Sequence, residues 1–125
     1  MNYDIAIIEP SNGQTLKLPH RHQLRGGTFA IGGTDHAELN VTYNYAKIFQ
    51  EAFKDPDGIK TLAMRNVLTG LLLLQNAIAN LSGMPDDDYW KATPGNARKA
   101  LCELAALGNM VLATGKNDDA VWEIR

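Results

Sequence analysis

The spacing of hydrophobic and polar residues changes period once along this chain, at Leu39–Tyr45, the stretch LNVTYNY. Upstream the period is two; downstream it is helical. Asn2–Ile8 alternates Tyr3, Ile5 and Ile7 against Asp4 and Ala6, which predicts a strand. Ile8 breaks the alternation and implies that both faces are partly covered. Pro10-Ser11-Asn12-Gly13 has the chemistry of a tight reversal, with proline presetting φ and Asn-Gly supplying positive φ. Gln14–Leu18 then reads as a return strand that Pro19 ends. His20–Gly27 is polar and closes on glycine, so a loop is expected. Thr28–Ile31 and His36–Thr42 read as a second hairpin, turned by Gly32-Gly33-Thr34-Asp35. In its last strand Ala37, Leu39, Val41 and Tyr43 share one face, and Glu38, Asn40, Thr42 and Asn44 the other.

Beyond that strand Tyr45, Ile48, Phe49, Ala52 and Phe53 fall on one helical stripe, with Asn44 as the expected N-cap. Asp55-Pro56-Asp57-Gly58 stops this helix. A longer helical region is expected from Ile59 to Leu81, striped by Val67, Leu71, Leu74, Ile78 and Leu81 and closed by Ser82-Gly83. Leu71-Leu72-Leu73-Leu74 spans nearly the full circumference of a helix. A helix apolar all round is buried all round, and in a chain this small a second subunit is expected to cover part of it. Thr93-Pro94 opens a third helix, threonine at the N-cap and proline at N1, with Ala97, Leu101, Leu104, Ala105 and Gly108 inward. That helix should end before Gly115, and Ala120–Ile124 reads as a short last strand.

These elements predict an α+β fold: an N-terminal antiparallel sheet of two hairpins, joined by a short C-terminal strand, packed on three α-helices. The 125 residues suit a single domain, 1–125, with a β-rich part at 1–43, a helical part at 44–115 and a tail or strand at 116–125. A net charge of -2 argues against direct nucleic-acid binding, which needs a basic field. Cys102 is the single cysteine, so no internal disulfide forms and a reducing, cytoplasmic setting is expected. It reads as core packing on the third helix. No signal peptide is visible, and the longest apolar run, Leu71–Leu74, is far short of a membrane span.

Candidate chemistry is sparse. His20, His22, Asp35 and His36 are the one metal-like grouping, and they lack any specific ligand spacing, so no metal and no cofactor are assigned. Arg21 and Arg25, leading into Gly26-Gly27, have the donors to hold an anion. Asp86-Asp87-Asp88 reads as a solvated turn, and Trp90 beside it as an anchor of that turn to the core or a platform for a ligand. No Ser-His-Asp or Cys-His arrangement is present. If a ligand or partner binds, the polar edge Asn40, Thr42 and Asn44 with Tyr43 and Tyr45 should meet it, near Trp90 and Asn96.

Three segments carry a family resemblance: GGTFAIGGTDHAELNVTYNYAKIFQEAF at Gly26–Phe53, GIKTL at Gly58–Leu62, and DDYWKATPGNARKAL at Asp87–Leu101. The chain resembles a family of small proteins encoded by bacteriophages and prophages that share GGTxAxGGT, LN[VI]TYNY and DDYWxxTxGNA[KR]xAL segments. It departs from their pattern at Met64–Thr69, and Val121-Trp122 stands where relatives carry a Pro-Asp-Gly-x-Trp ending. The resemblance implies a phage accessory protein in the cytoplasm of a bacterial host. A non-enzymatic protein of that kind would counter host defence by binding, either a host immune protein such as a CRISPR effector or a small nucleotide signal that it sequesters. The alternatives are a small hydrolase or nucleotide-processing enzyme, and a virion or assembly component. Arg21, Arg25, Asn40, Thr42, Tyr43, Asn44, Tyr45, Trp90 and Asn96 are the residues that such a binding role would engage.

Overall fold

The computed structural model describes residues 2–28, 33–115 and 119–125. Strand β1 (Asn2–Glu9) is the centre of the main sheet. On one side it pairs antiparallel with β2 (Gln14–Thr15) and β5 (Glu38–Thr42); on the other it pairs with β6 (Val121–Ile124). A central strand is covered on both faces, which accounts for the unbroken buried run Ile5–Ile8. Strands β3 (Lys17–His22) and β4 (Thr34–His36) form a separate two-stranded sheet. The fold is α+β, as the residue pattern predicts, with three helices: α1 (Ala46–Phe53), α2 (Val67–Ala79) and α3 (Pro94–Ala113).

The hairpin pairing differs from the sequence expectation. Pro19 does not end a strand: β3 runs through it to His22, because the register to β4 is irregular between Lys17 and His22 and no ladder bond is asked of the proline. The expected loop therefore shrinks to Gln23–Arg25, since Gly26 already bridges to Val41. Thr34 and Asp35 lie in β4 rather than in a turn. The expected strand Thr28–Ile31 lies outside the described residues except for Thr28, which is buried and donates its hydroxyl to Asn40 O at 3.4 Å. The strand expected at His36–Thr42 begins two residues later, at Glu38, and its partner is β1, with Ile5 opposite Leu39 and Tyr3 opposite Val41.

Ile5, Ile7, Leu39, Val41 and Trp122 form the sheet's contribution to the core, facing Leu71, Leu74, Leu101, Leu104 and Leu107 of the helices. Trp122 is fully buried and donates from Nε1 to Val67 O at 3.3 Å. The indole lies so close to α2 and α3 that Gly70 and Gly108 have no room for a side chain: a Cβ on Gly108 would stand 3.0 Å from Trp122 Cζ2 and 2.7 Å from Leu71 Cδ2. Burying an aromatic of this size is worth several kcal/mol, on the order of the ~3–5 kcal/mol lost when one is cut to alanine.

The helical region expected from Ile59 to Leu81 is broken. A 3₁₀ segment spans Gly58–Leu62, then Ala63–Asn66 turn away before α2 begins. In that break Met64 takes φ 64°, and Met64 and Arg65 exchange backbone hydrogen bonds with Trp122 at 2.8 and 2.9 Å. Pairing with β6 thus outcompetes one turn of helix. Asn66 restarts the helix as N-cap, accepting from Thr69 N at 2.8 Å. The leucine run is not buried all round: Leu71 and Leu74 are in the core, Leu73 is half-buried, and Leu72 is 55% exposed. Cys102 is exposed rather than packed in the core. No helix among the described residues is long and apolar enough to cross a membrane.

Candidate functional site

The strand-to-helix junction at Thr42–Tyr45 is where the expected site residues gather. β5 ends at Thr42, and a 3₁₀ turn, Tyr43–Tyr45, leads into α1. The cap of this turn is Thr42, not Asn44: the buried Thr42 hydroxyl accepts from Asn44 N at 3.2 Å. The break in strand geometry rotates Tyr43 out of the Leu39–Val41 face. It is 39% exposed and packs edge-on against Tyr3, ring centroids 4.5 Å apart. Tyr45 turns inward to 1% exposure and meets Phe49 edge-on at 5.9 Å.

Freed from capping, the Asn44 side chain reaches the loop before α3 and donates to Trp90 O at 3.0 Å. Tyr45 donates its hydroxyl to Tyr89 O. From the other side Asn96, buried in the first turn of α3, donates from Nδ2 to Asp88 O at 3.1 Å and Lys91 O at 2.9 Å, and accepts from Asp86 N at 2.8 Å. Four successive carbonyls, Asp88 to Lys91, are therefore each held by a side chain. Among the described residues three do this, and all three are among those that sequence reasoning assigned to binding. Within the loop, Asp86 Oδ1 accepts from Asp88 N and Asp88 Oδ1 from Trp90 N, at 2.8 and 3.1 Å. The aspartates are thus turn formers at the surface. The anchor of this loop is Asn96, and the Trp90 ring is 43% exposed.

The clamped loop presents Tyr89 to Arg25. The Arg25 guanidinium lies over the Tyr89 ring, 5.9 Å from its centroid, and Trp90 stands 5.5 Å beyond Tyr89. Among the described residues the Arg25 guanidinium has no ion pair and no hydrogen bond, so its fork of donors is open; its backbone N–H donates to Glu103 Oε2 at 3.4 Å. Arg25 stands between two clefts. The smaller, about 210 Å³, is lined by Gly27, Tyr45, Asp86, Asp87, Tyr89 and Lys99 among others. The larger, about 410 Å³, has Asp4, Glu38 and Asn40 of the sheet on one side and His22–Arg25 on the other, with Arg125 at its edge. Gly27 is needed here, with φ 78° and no space for a methyl against Thr42 Cγ2.

Of the remaining expected residues, Asn40 donates to Asp4 Oδ1 across the β1–β5 pair. Arg21 donates to Gly33 O at 2.9 Å and so serves the β3–β4 junction, not the Arg25 clefts. His22 is buried: Nδ1 accepts from Leu24 N at 3.2 Å and Nε2 lies 2.7 Å from His36 O. In those pairings Nδ1 is the acceptor and Nε2 the donor. His20, His22, Asp35 and His36 do not converge, and no group of three metal-ligating side chains occurs among the described residues. Lys99, which sequence reasoning missed, lines the smaller cleft and pairs with Glu103 at 3.6 Å; a lone lysine on an exposed helix face gave no signal.

Two hydroxyls are perturbed. Burial pushes the Tyr45 phenol above its ordinary value, and the nearby Asp88 carboxylate and Tyr89 push it the same way. Tyr3 is raised by burial and by Tyr43. Both remain protonated at neutral pH. Comparison with models of protein families, with curated proteins and with solved structures returns no match.

Proposed function

We propose that this chain is a non-enzymatic accessory protein of a bacteriophage or prophage, working in the cytoplasm of its host, that counters defence by sequestering a nucleotide signal. The observation that carries this reading is the open guanidinium of Arg25, laid on Tyr89 between two clefts. Arginine holds phosphate through two parallel donors, and an aromatic face beside it stacks a base, worth about 1–3 kcal/mol. The larger cleft, about 410 Å³, falls within the size of small-ligand sites. Its carboxylates Asp4 and Glu38 suit ribose hydroxyls, and Asp86 and Asp87 of the smaller cleft suit the amino groups of a base.

A second reading, inhibition of a host immune protein, draws on Trp90, exposed beside Tyr89, and on Tyr43, exposed against Tyr3; Trp, Tyr and Arg dominate the energetics of protein interfaces. Self-association is part of either reading. Leu68 and Leu72 are 58% and 55% exposed on α2, a helix without a charged side chain, and a second copy would cover them.

The test is depletion. Purified protein is mixed with AMP or a cyclic dinucleotide and passed through a membrane that retains the protein; the filtrate should lose nucleotide in proportion to protein. Heating the retained complex should return the nucleotide intact. A cleaved product would replace this reading with a nucleotide-processing enzyme, and stoichiometric capture of a defence protein with no nucleotide retained would replace it with the inhibitor.

A further inference from the structure

We propose that Asn96, at the wall of the smaller cleft, is the positioning residue of the Arg25 site: by holding the Tyr89–Trp90 loop it sets where the guanidinium stands. This deepens the sequestration reading and rests on it only for the ligand. The Asn96 amide is fully committed, its two N–H groups to Asp88 O and Lys91 O and its oxygen to Asp86 N. Those carbonyls straddle Tyr89 and Trp90. The Asn96 backbone N–H is itself fixed, donating to the Thr93 cap at 3.1 Å. The amide thus transmits the rigid first turn of α3 to the Tyr89 ring, and the ring is the one described partner of the Arg25 guanidinium.

The other described side-chain contacts on the loop carbonyls are single. Tyr45 and Asn44 each hold one carbonyl from the opposite side, and the Lys91–Asp86 ion pair is exposed and 3.9 Å long. An isosteric carboxylate at 96 would keep the acceptor for Asp86 N but face two carbonyl oxygens with no donor. Protonating it restores one donor. The titratable and charged groups around it are Asp86, Asp87, Asp88, Tyr89 and Lys91 of the loop, Arg25, Tyr45 of the hinge and Lys99 of α3, so the wild-type chain is measured at each pH as control.

The experiment is NMR of the full chain with Asn96→Asp. The Arg25 side-chain resonances carry a ring-current displacement from Tyr89 in the wild type. At neutral pH this displacement should vanish in the variant, and on acidification it should return. Asn66→Ala, which removes the α2 cap away from this loop, should leave it untouched. AMP affinity should fall at least tenfold in Asn96→Asp and recover in step with the Arg25 signal. A folded Asn96→Asp chain with wild-type Arg25 resonances overturns the proposal. If the resonances move as expected while the wild-type chain binds no AMP, the positioning role stands and the nucleotide reading falls.

Discussion

Replacing Tyr45 with phenylalanine isolates one hydrogen bond of the hinge. The ring stays in the core against Phe49; only the hydroxyl that donates to Tyr89 O is removed. A hydrogen bond of this kind contributes roughly 0.5–1.5 kcal/mol net, and an orphaned buried carbonyl costs up to about 3. Tyr89 is only half-buried, so water reaches its carbonyl and the loss should sit near 1 kcal/mol. For a chain of this size that is a fall in Tm of about 3–5 °C. Urea unfolding should show a lower midpoint at unchanged slope.

The pH dependence gives a sharper check. In the folded chain Tyr45 ionises above its ordinary value of 10.0, so the unfolded chain loses its proton first. The stability from the neutral phenol is fully present below that ordinary value. It is lost as the pH rises through the higher folded value. Tyr3 acts in the same direction. Wild-type protein should therefore weaken steeply in alkali, and Tyr45→Phe should keep only the Tyr3 share of that slope. Equal midpoints at neutral pH together with identical alkaline limbs would refute the role assigned to this hydroxyl.

Further outcomes follow from the same geometry. Gly70→Ala should destabilise by several kcal/mol or prevent folding, since the new methyl would overlap the Trp122 indole, and circular dichroism of the expressed chain reads it directly. Cys102 should react with a thiol reagent in the native state at a rate close to that of the unfolded chain, because it is exposed. Acrylamide should quench Trp90 and spare Trp122, so that Trp90→Phe leaves one blue-shifted, poorly quenched emission. Arg25→Lys should weaken nucleotide binding about as much as Arg25→Ala, at least tenfold, because a point charge does not replace the fork; retained affinity in the lysine variant would show that charge alone suffices.

Much of this fold is legible in residue spacing because local chemistry and global packing agree. The Asn12-Gly13 turn, the Thr93-Pro94 cap and the stripe of Leu101 and Leu104 each need only near neighbours. What escaped was decided by distant partners. Pro19 continues a strand because the ladder beside it is irregular. The helix expected at Ile59–Leu81 breaks because β6, some sixty residues downstream, offers Met64 and Arg65 better hydrogen bonds. Leu72 is exposed because only the Leu71–Leu74 side of α2 meets the sheet and α3. The candidate site shows the same division. Asn44, Tyr45 and Asn96 were recognisable as polar groups with somewhere to be, but their destination, four consecutive carbonyls of one loop, is a tertiary fact. The open guanidinium of Arg25 could not be told from the engaged one of Arg21 by spacing.

The pairing of β1 with both β5 and β6 has a consequence for how the chain is made. Ile5 lies opposite Leu39 on one side and Ile124 on the other. One flank of the central strand can form early, but the second waits for residues more than a hundred positions downstream. Trp122 arrives with that flank, and until it does the space between Gly70 and Gly108 is unfilled. Contacts of such long sequence separation slow folding, and the core cannot close until Trp122 has been made. A nascent chain stalled short of Trp122 would carry a formed β1–β5 pair and three loosely packed helices, with the apolar face of β1 open to chaperones and proteases.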